Sequence, residues 1–355
     1  MRIQTNDLRE ALNKASIIIN GKIHLPILAC VTFAKHYPEQ VTLNATDLET
    51  HLQVELTCDN PLDVCIPLKP LLEFVKSLDK KSEVEITEVV NNKALVASGF
   101  TSITIDTMSI EDYPCGVSSP ETTLIGSGSV ANLFSAFSGL YASSTDDSRF
   151  NLNTALVDVT TGTIVCTDGH RLSIRPTSIF HFLKTNILIG RKQVEHLLKT
   201  FKKSDMFTIE SFTSGAPRYI KFSDGVTSST IRLIDGDYPT YQNVLPKNTR
   251  EQISMDRKTL LSFIKPIKVT EYEKAIHFNT NCNSIEIKFD NKMGQITEGK
   301  LPGNFSDEYS VILSKNYLVD LIEHADNFRL EQEKEGGPCV IHSNHGLDML
   351  MPMRK

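Results

Sequence analysis

The stretch IPLKPLLEFVK, residues 66 to 76, is answered 123 residues on by IGRKQVEHLLK (189 to 199) and, at the same interval again, by ILSKNYLVDLI (312 to 322). Ile66, Ile189 and Ile312 fall in register, and so do Lys69, Lys192 and Lys315. Two equal offsets in one chain argue for three copies of one unit, and a repeat decides the architecture before any short motif does. Leu71, Val75 and Leu78 stand at i, i+4 and i+7, matched by Val194, Leu198 and Phe201 and, in the third copy, by Tyr317 and Leu321. That period predicts an amphipathic helix, over 66 to 81 in the first copy. Pro70 stands in its first turn, where a missing N–H forfeits no hydrogen bond.

Outward from this helix the copies continue to match. Alternating runs follow it, EVEITEV, MFTIESF and NFRLEQE, and read as strands. Further helices are expected near 6 to 18, 128 to 141 and 256 to 266, each behind an Ile-containing strand. ATDLET and CTDGHR put Asp47 and Asp168 121 residues apart, and Asp112-Tyr113-Pro114 recurs after 125 residues as Asp237-Tyr238-Pro239. Boundaries near 120 and 246 follow, giving three units (1–120, 121–246 and 247–355). The expected fold class is α+β, each unit packing two helices on about eight strands.

Composition narrows the setting. With 40% apolar and 23% charged residues the chain reads as soluble and globular, and each unit is long enough to bury its own core. No apolar run approaches the roughly 18 residues of a membrane span, and MRIQTNDLRE lacks the apolar centre of a leader. Seven cysteines are scattered without a CxxC pair, which argues for reduced thiols. The expected location is the cytoplasm. Net charge is −6, so any attraction to a polyanion must come from the distribution of charge. Basic residues gather on the repeated helix: Lys69, Lys76, Lys80 and Lys81 in the first copy, Arg191, Lys192, Lys199, Lys202 and Lys203 in the second. Lys69 and Lys76 lie two turns apart on one face, as do Lys192 and Lys199. The third copy keeps Lys315 but has Ile322 in the second slot, while Arg257, Lys258, Lys265 and Lys268 add a further basic segment. Solvated helix faces explain any one of these, but recurrence at one place in a repeat favours a nucleic-acid surface.

Catalytic equipment is sparse. The chain has no GxxxxGK loop, no GxSxG elbow and no HExxH. Asp168, His170 and Arg171 could serve as acid, base and anion clamp, yet Asp-Gly is an ordinary turn and no nucleophile accompanies them. Cys339, His342 and His345 have the spacing of metal ligands, but HSNHG reads as a hairpin turn, with Cys339 and His342 on opposite faces. No cofactor is expected.

CTDGHRLSIR (166 to 175), RLIDGDYPTYQNVLP (232 to 246) and MPMR (351 to 354), with LPIL (25 to 28) and NATDLET (44 to 50), together resemble the bacterial DNA sliding clamp, the beta subunit of the replicative polymerase. The resemblance runs from residue 2 to the C-terminus in consistent order. It implies three clamp domains per chain, forming half of a ring, and a head-to-tail homodimer that encircles duplex DNA without reading its sequence. Ring closure would pair domain one with domain three of the next chain, through Ile103 and Ile267. The repeated helices would then line the ring, with Lys22, Arg149 and Phe150 as further DNA contacts. Also implied is a groove between domains two and three that docks short apolar motifs of the polymerase, the clamp loader and repair proteins. Its lining would be Leu152, Thr167, Gly169, His170, Arg171, Leu172, Pro239, Val244, Tyr317, Met351, Pro352, Met353 and Arg354. Pro, Val, Leu and Met make an adaptable apolar slot. Asn243 and Lys355 depart from the family pattern, as does FNLNTA (150 to 155), and the first two put partner preference in question. A protein-binding repeat scaffold that does not encircle DNA is the rival reading; it predicts no effect of reversing Lys76 and Lys199.

Overall fold

In the computed structural model the described residues are 1–20, 25–89, 92–114, 116, 122–212, 217–269, 274–281, 283–291, 295–302, 308–323, 327–334, 336–343 and 345–353. Lys22, Arg354 and Lys355 lie outside them. The helices are α1 (Thr5–Ile18), α2 (Leu68–Ser77), α3 (Val130–Ala136), α4 (Arg191–Thr200), α5 (Arg257–Ile264) and α6 (Lys315–Glu323). One order, strand, helix, four strands, helix, three strands, occurs three times in succession.

The repeated stretch straddles a strand–helix junction. Ile66, Ile189 and Ile312 end or occupy the strands Val64–Pro67, Ile187–Gly190 and Tyr309–Ser314, where they are 0%, 0% and 7% exposed. The helix expected over 66 to 81 therefore begins at Leu68, because Val64–Pro67 is held in a ladder with Cys30–Phe33. It ends at Ser77, where Asp79 organises a turn by accepting from the Lys81 N–H and the Ser82 hydroxyl. Arg9 donates to the carbonyls of Val75 and Leu78, at 2.9 and 2.6 Å, and so caps the end of α2. The helix expected over 128 to 141 is cut to Val130–Ala136. Ser138 and Gly139 break it, and a Cβ on Gly139 would stand 2.0 Å from the Ser173 hydroxyl oxygen.

Two compact units result. The first comprises residues 1–133, 179–185 and 192–233, the second 134–178, 186–191 and 234–355. Each holds one eight-stranded and one four-stranded antiparallel sheet. The division falls inside the second copy of the repeat because strand pairing reaches across the copies. In the first unit Thr50–Thr57 pairs with Thr227–Arg232, Thr50 facing Ile231 and Val54 facing Thr227. In the second unit Arg171–Pro176 pairs with Gly346–Leu350, Arg171 facing Leu350 and Ile174 facing Leu347.

One face of each sheet is buried against helices. In the first unit α1 and α2 cover a continuous core that includes Leu8, Leu12, Phe33, Leu43, Leu71 and Val75. In the second, α5 and α6 supply Leu260, Ile264, Leu318 and Leu321 to a core with Phe278, Phe289 and Phe328. Burying side chains of this size contributes about 1.5–3 kcal/mol each, which outweighs what helices of eight to fourteen residues lack in propensity.

Candidate functional site

The TDGHRL segment (167 to 172) forms the hairpin between the strands Thr163–Thr167 and Arg171–Pro176. Gly169 takes φ +89, a conformation that glycine adopts at no steric cost, with open space around it. The Asp168 carboxylate accepts from the backbone N–H groups of His170 and Arg171, at 2.9 and 3.1 Å, and from Arg171 Nε at 3.0 Å. Thr167 Oγ1 donates to the Arg171 carbonyl and accepts from the Gly169 N–H. Asp168 thus spends its carboxylate holding the turn.

Arg171 ties this turn to α6. Its Nη1 reaches Asp320 Oδ2 at 2.6 Å, and its guanidinium lies 4.4 Å from the centre of the Tyr317 ring. His170 stacks on the same ring at 6.3 Å. Burial, and then the Asp168 carboxylate, push the Tyr317 hydroxyl pKa up. The Met351 N–H donates to the His170 carbonyl at 2.9 Å and the Met353 N–H to the Ile312 carbonyl at 2.8 Å, so the terminal segment is fixed by its backbone. Its side chains stay available: Met351 is 39% and Met353 38% exposed.

Behind them lies an apolar floor of Leu156, Val165, Leu172, Leu188, Tyr241 and Met349. Pro239 borders the same region with Tyr238 and Tyr241, around a cavity of about 380 Å³. Val244, half exposed, ends the short turn Tyr241–Val244 that carries Tyr241 into the floor. Leu152 is fixed by a backbone bond from its N–H to the Arg149 carbonyl. Of the expected lining, Thr167, Gly169, His170, Arg171, Tyr317 and Met351 are joined by direct bonds or ring contacts, and Leu172 by the shared floor. Sequence reasoning missed the floor's Leu156, Val165 and Leu188, because their strands TALVD, TIVCT and ILIG are buried on both faces and carry no alternation to single out one side, and Asp320, one turn beyond Tyr317 on α6.

The basic residues divide into two classes. Lys69, Lys76, Lys80, Lys199, Lys202 and Lys258 are exposed, and none forms an ion pair among the described residues. Others are engaged: Lys192 with Asp47 and Lys203 with Glu10, both at 2.8 Å. Arg191 is half-buried and donates to the Ser143 carbonyl at 2.8 Å. Arg257 caps α6 through the carbonyls of Ile322 and Glu323. Arg149 and Phe150 are exposed beside the TDGHRL turn, with Arg149 Nη1 donating to the Asp168 carbonyl.

The remaining chemical candidates have structural partners. Cys339 is buried, its thiol pKa pushed up to about 12 by desolvation, while His342 is exposed and meets Glu331 at 3.3 Å. They occupy opposite faces of the strand Cys339–Ser343, as alternation requires.

Comparison with known proteins gives one consistent result. Residues 1–117 match the DNA polymerase III beta subunit, N-terminal domain, and residues 137–240 the central domain of the same subunit, together more than half of the chain. The beta sliding clamp of Pseudomonas putida is 26% identical, over 98% of both chains. That of Haemophilus influenzae is 25% identical, over 99% of both. Among solved structures, a DNA polymerase sliding clamp from Pseudomonas aeruginosa superposes with a TM-score of 0.88 at 22% identity, covering 100% of this chain and 99% of that one. A sliding clamp from Bartonella birtlesii, solved with griselimycin bound, gives 0.89 at 22% identity, with 100% of both covered.

Proposed function

This chain belongs to the family of bacterial DNA sliding clamps, non-catalytic beta subunits of DNA polymerase III, and from that premise we propose that two copies close head to tail into a ring around duplex DNA. The observation that carries this reading is the pattern of strand pairing between copies of the repeat. In each filled junction the third of four consecutive strands pairs with the last strand of the following copy. The third such strand, Gln295–Pro302, and the last strand of the first copy, Thr101–Asp106, both end four-stranded sheets. Their pairing between chains would extend two four-stranded sheets into the eight-stranded kind already present twice.

Register transfers from the filled junctions. Leu52 faces Ser229 and Ser173 faces Asp348, which puts Thr297 opposite Ile103 and Gln295 opposite Ile105. Alternation supports this phase: Thr297, Gly299 and Leu301 are partly buried between exposed Glu298 and Lys300, and Ile103 and Ile105 alternate with exposed Ser102 and Thr104. Ile267 has no part in this edge, being 2% exposed within its own core. Such a heterologous contact closes when two copies complete the circle. The three domains are 1–120, 121–246 and 247–355.

Inside the ring the unpaired lysines of the repeated helices attract phosphates without reading bases, which sliding requires. The Leu172–Tyr317–Met351 groove docks apolar peptides of the polymerase, the clamp loader and repair proteins, so the clamp tethers them to DNA in the cytoplasm. Retention on nicked circular DNA after loading tests this reading. The ring should remain bound to the circle and leave when it is linearised, and Lys76→Glu with Lys199→Glu should shorten retention; equal retention on cut and uncut DNA would refute encirclement. A Gln-Leu-Ser-Leu-Phe peptide should bind the groove at about micromolar Kd, roughly −8 kcal/mol, and lose binding in a Met351→Ala, Arg171→Ala double variant.

A further inference from the structure

The first unit has a counterpart of the apolar floor, in the same register and with opposite chemistry. Where Leu156 faces Val165, the first unit has Thr32 facing Asn44. Where Ile174 faces Leu347 it has Gln53 facing Ser228, and where Leu172 faces Met349 it has His51 facing Thr230. These polar residues are linked: Asn44 donates to Thr32 Oγ1, and Gln53 Nε2 donates to Asn44 Oδ1, both at 3.2 Å.

A second substitution opens space. In the second unit, Tyr241 follows Asp237-Tyr238-Pro239, is 6% exposed, and donates its hydroxyl to Asp158 Oδ2 at 2.8 Å. Counting from Asp112-Tyr113-Pro114, Gly116 holds the place of Tyr241; counting along the strand from Thr32, Ala34 holds that of Asp158. Both the ring and the group that anchors it are gone; the His51 imidazole stands 2.5 Å from where a Cβ on Gly116 would project, and a cavity of about 420 Å³ lies beside it, bordered by Asn44, His51, Gln53, Tyr113, Lys221 and Thr230. Buried His51 Nδ1 has no hydrogen-bond partner, and Lys221 forms no ion pair among the described residues.

We propose that this cavity is a second docking site, which takes a tyrosine side chain from an acidic segment of a partner protein. The cavity adjoins the position that a tyrosine of this chain occupies in the other unit, and at about 420 Å³ it has room for a phenol ring. The phenol hydroxyl meets donors and acceptors in His51, Gln53 and Thr230, where the apolar floor offers none, and Lys221 favours a carboxylate beside the ring. A pocket built to hydrogen-bond a hydroxyl discriminates strongly against the analogue lacking it. The two grooves then select opposite ligands, apolar in one unit and polar in the other.

The test is NMR titration of the full-length protein with N-acetyl-Asp-Tyr-amide and, separately, with N-acetyl-Asp-Phe-amide. The expected result is saturable shifts at His51, Lys221 and Thr230, with the tyrosine probe binding at least about tenfold tighter. Thr230→Met, which installs the residue of the other unit, should abolish them, Lys221→Ala should weaken them, and Met351→Ala should leave them unchanged. Absence of shifts at millimolar tyrosine probe, equal binding of both probes, or full binding in Thr230→Met would overturn the proposal.

Discussion

The two junctions between copies of the repeat share one register and solve the problem of holding two strands together with different chemistry. In the first unit Leu52 and Val54 point toward the helices opposite Ser229 and Thr227, so this side of the junction holds small and apolar side chains and, among the described residues, no ion pair. In the second unit the equivalent side carries Ser173, Arg175 and Asp348. Arg175 Nη2 donates to both oxygens of Asp348 at 2.8 Å, Tyr141 donates to the same carboxylate at 2.7 Å, and the ion pair is 1% and 0% exposed. Burial works against the Arg175 charge, but the Asp348 carboxylate more than compensates and holds its pKa above the ordinary value. Backbone pattern sets which strands meet, and side chains decide how tolerant each meeting is. A buried ion pair rejects any partner strand that lacks its complement, whereas the helix-facing side of the first junction demands only fit.

Removing half of that pair should give the largest effect. Asp348→Ala leaves Arg175 buried without a counter-charge and should cost about 3–5 kcal/mol in urea denaturation. Arg175→Met with Asp348→Leu should recover most of that loss, and Ser229→Ala in the other junction should cost less than about 1 kcal/mol. Similar losses from Asp348→Ala and Ser229→Ala would erase the contrast.

Acid should act on the first junction next. Burial pushes the His51 pKa down from 6.5 to about 4, so between these values the unfolded chain binds more protons than the folded one. Stability from this residue is therefore present in full above about pH 6.5 and is lost as pH falls toward 4, by up to about 3 kcal/mol. His51→Leu, the residue type of the second unit, should flatten the pH profile of denaturation over that window.

Transplanting polarity in the other direction sharpens the comparison of the two floors. Leu172→His with Ile174→Gln should weaken the Gln-Leu-Ser-Leu-Phe peptide at least about tenfold, or 1.4 kcal/mol, by fluorescence titration. The smallest effect belongs to the surface: Lys192→Ala breaks an exposed pair with Asp47 and should change stability by less than about 1 kcal/mol.

Much of this was legible in the chain. The threefold interval of IPLKPLLEFVK marks three strand–helix junctions, and EVEITEV, MFTIESF and NFRLEQE are strands or contain them, at Glu83–Val89, Met206–Ser211 and Phe328–Gln332. Helix ends were less legible, since they depend on turn chemistry at Asp79 and on the fit of Gly139 against Ser173. Of the candidate groove, the TDGHRL turn was legible in its Asp-Gly pair, whereas Met351 and Met353, which alone read as part of a core-facing strand, were named only through the resemblance. The roles of Arg191 and Arg257 could not, because a guanidinium near a helix end reads the same whether it caps carbonyls or faces solvent. The cross-copy strand pairing, and with it the unfilled edges, has no signature within any one copy.

Those edges provide the most direct test of the account. Ile103→Cys and Thr297→Cys in one chain, oxidised and resolved by mass under denaturing conditions, should yield a covalent dimer joined by two cross-links that reduction reverses. Cross-linking confined to single chains, open-ended polymers in place of a dimer, or no cross-link would contradict closure of the ring by the third junction.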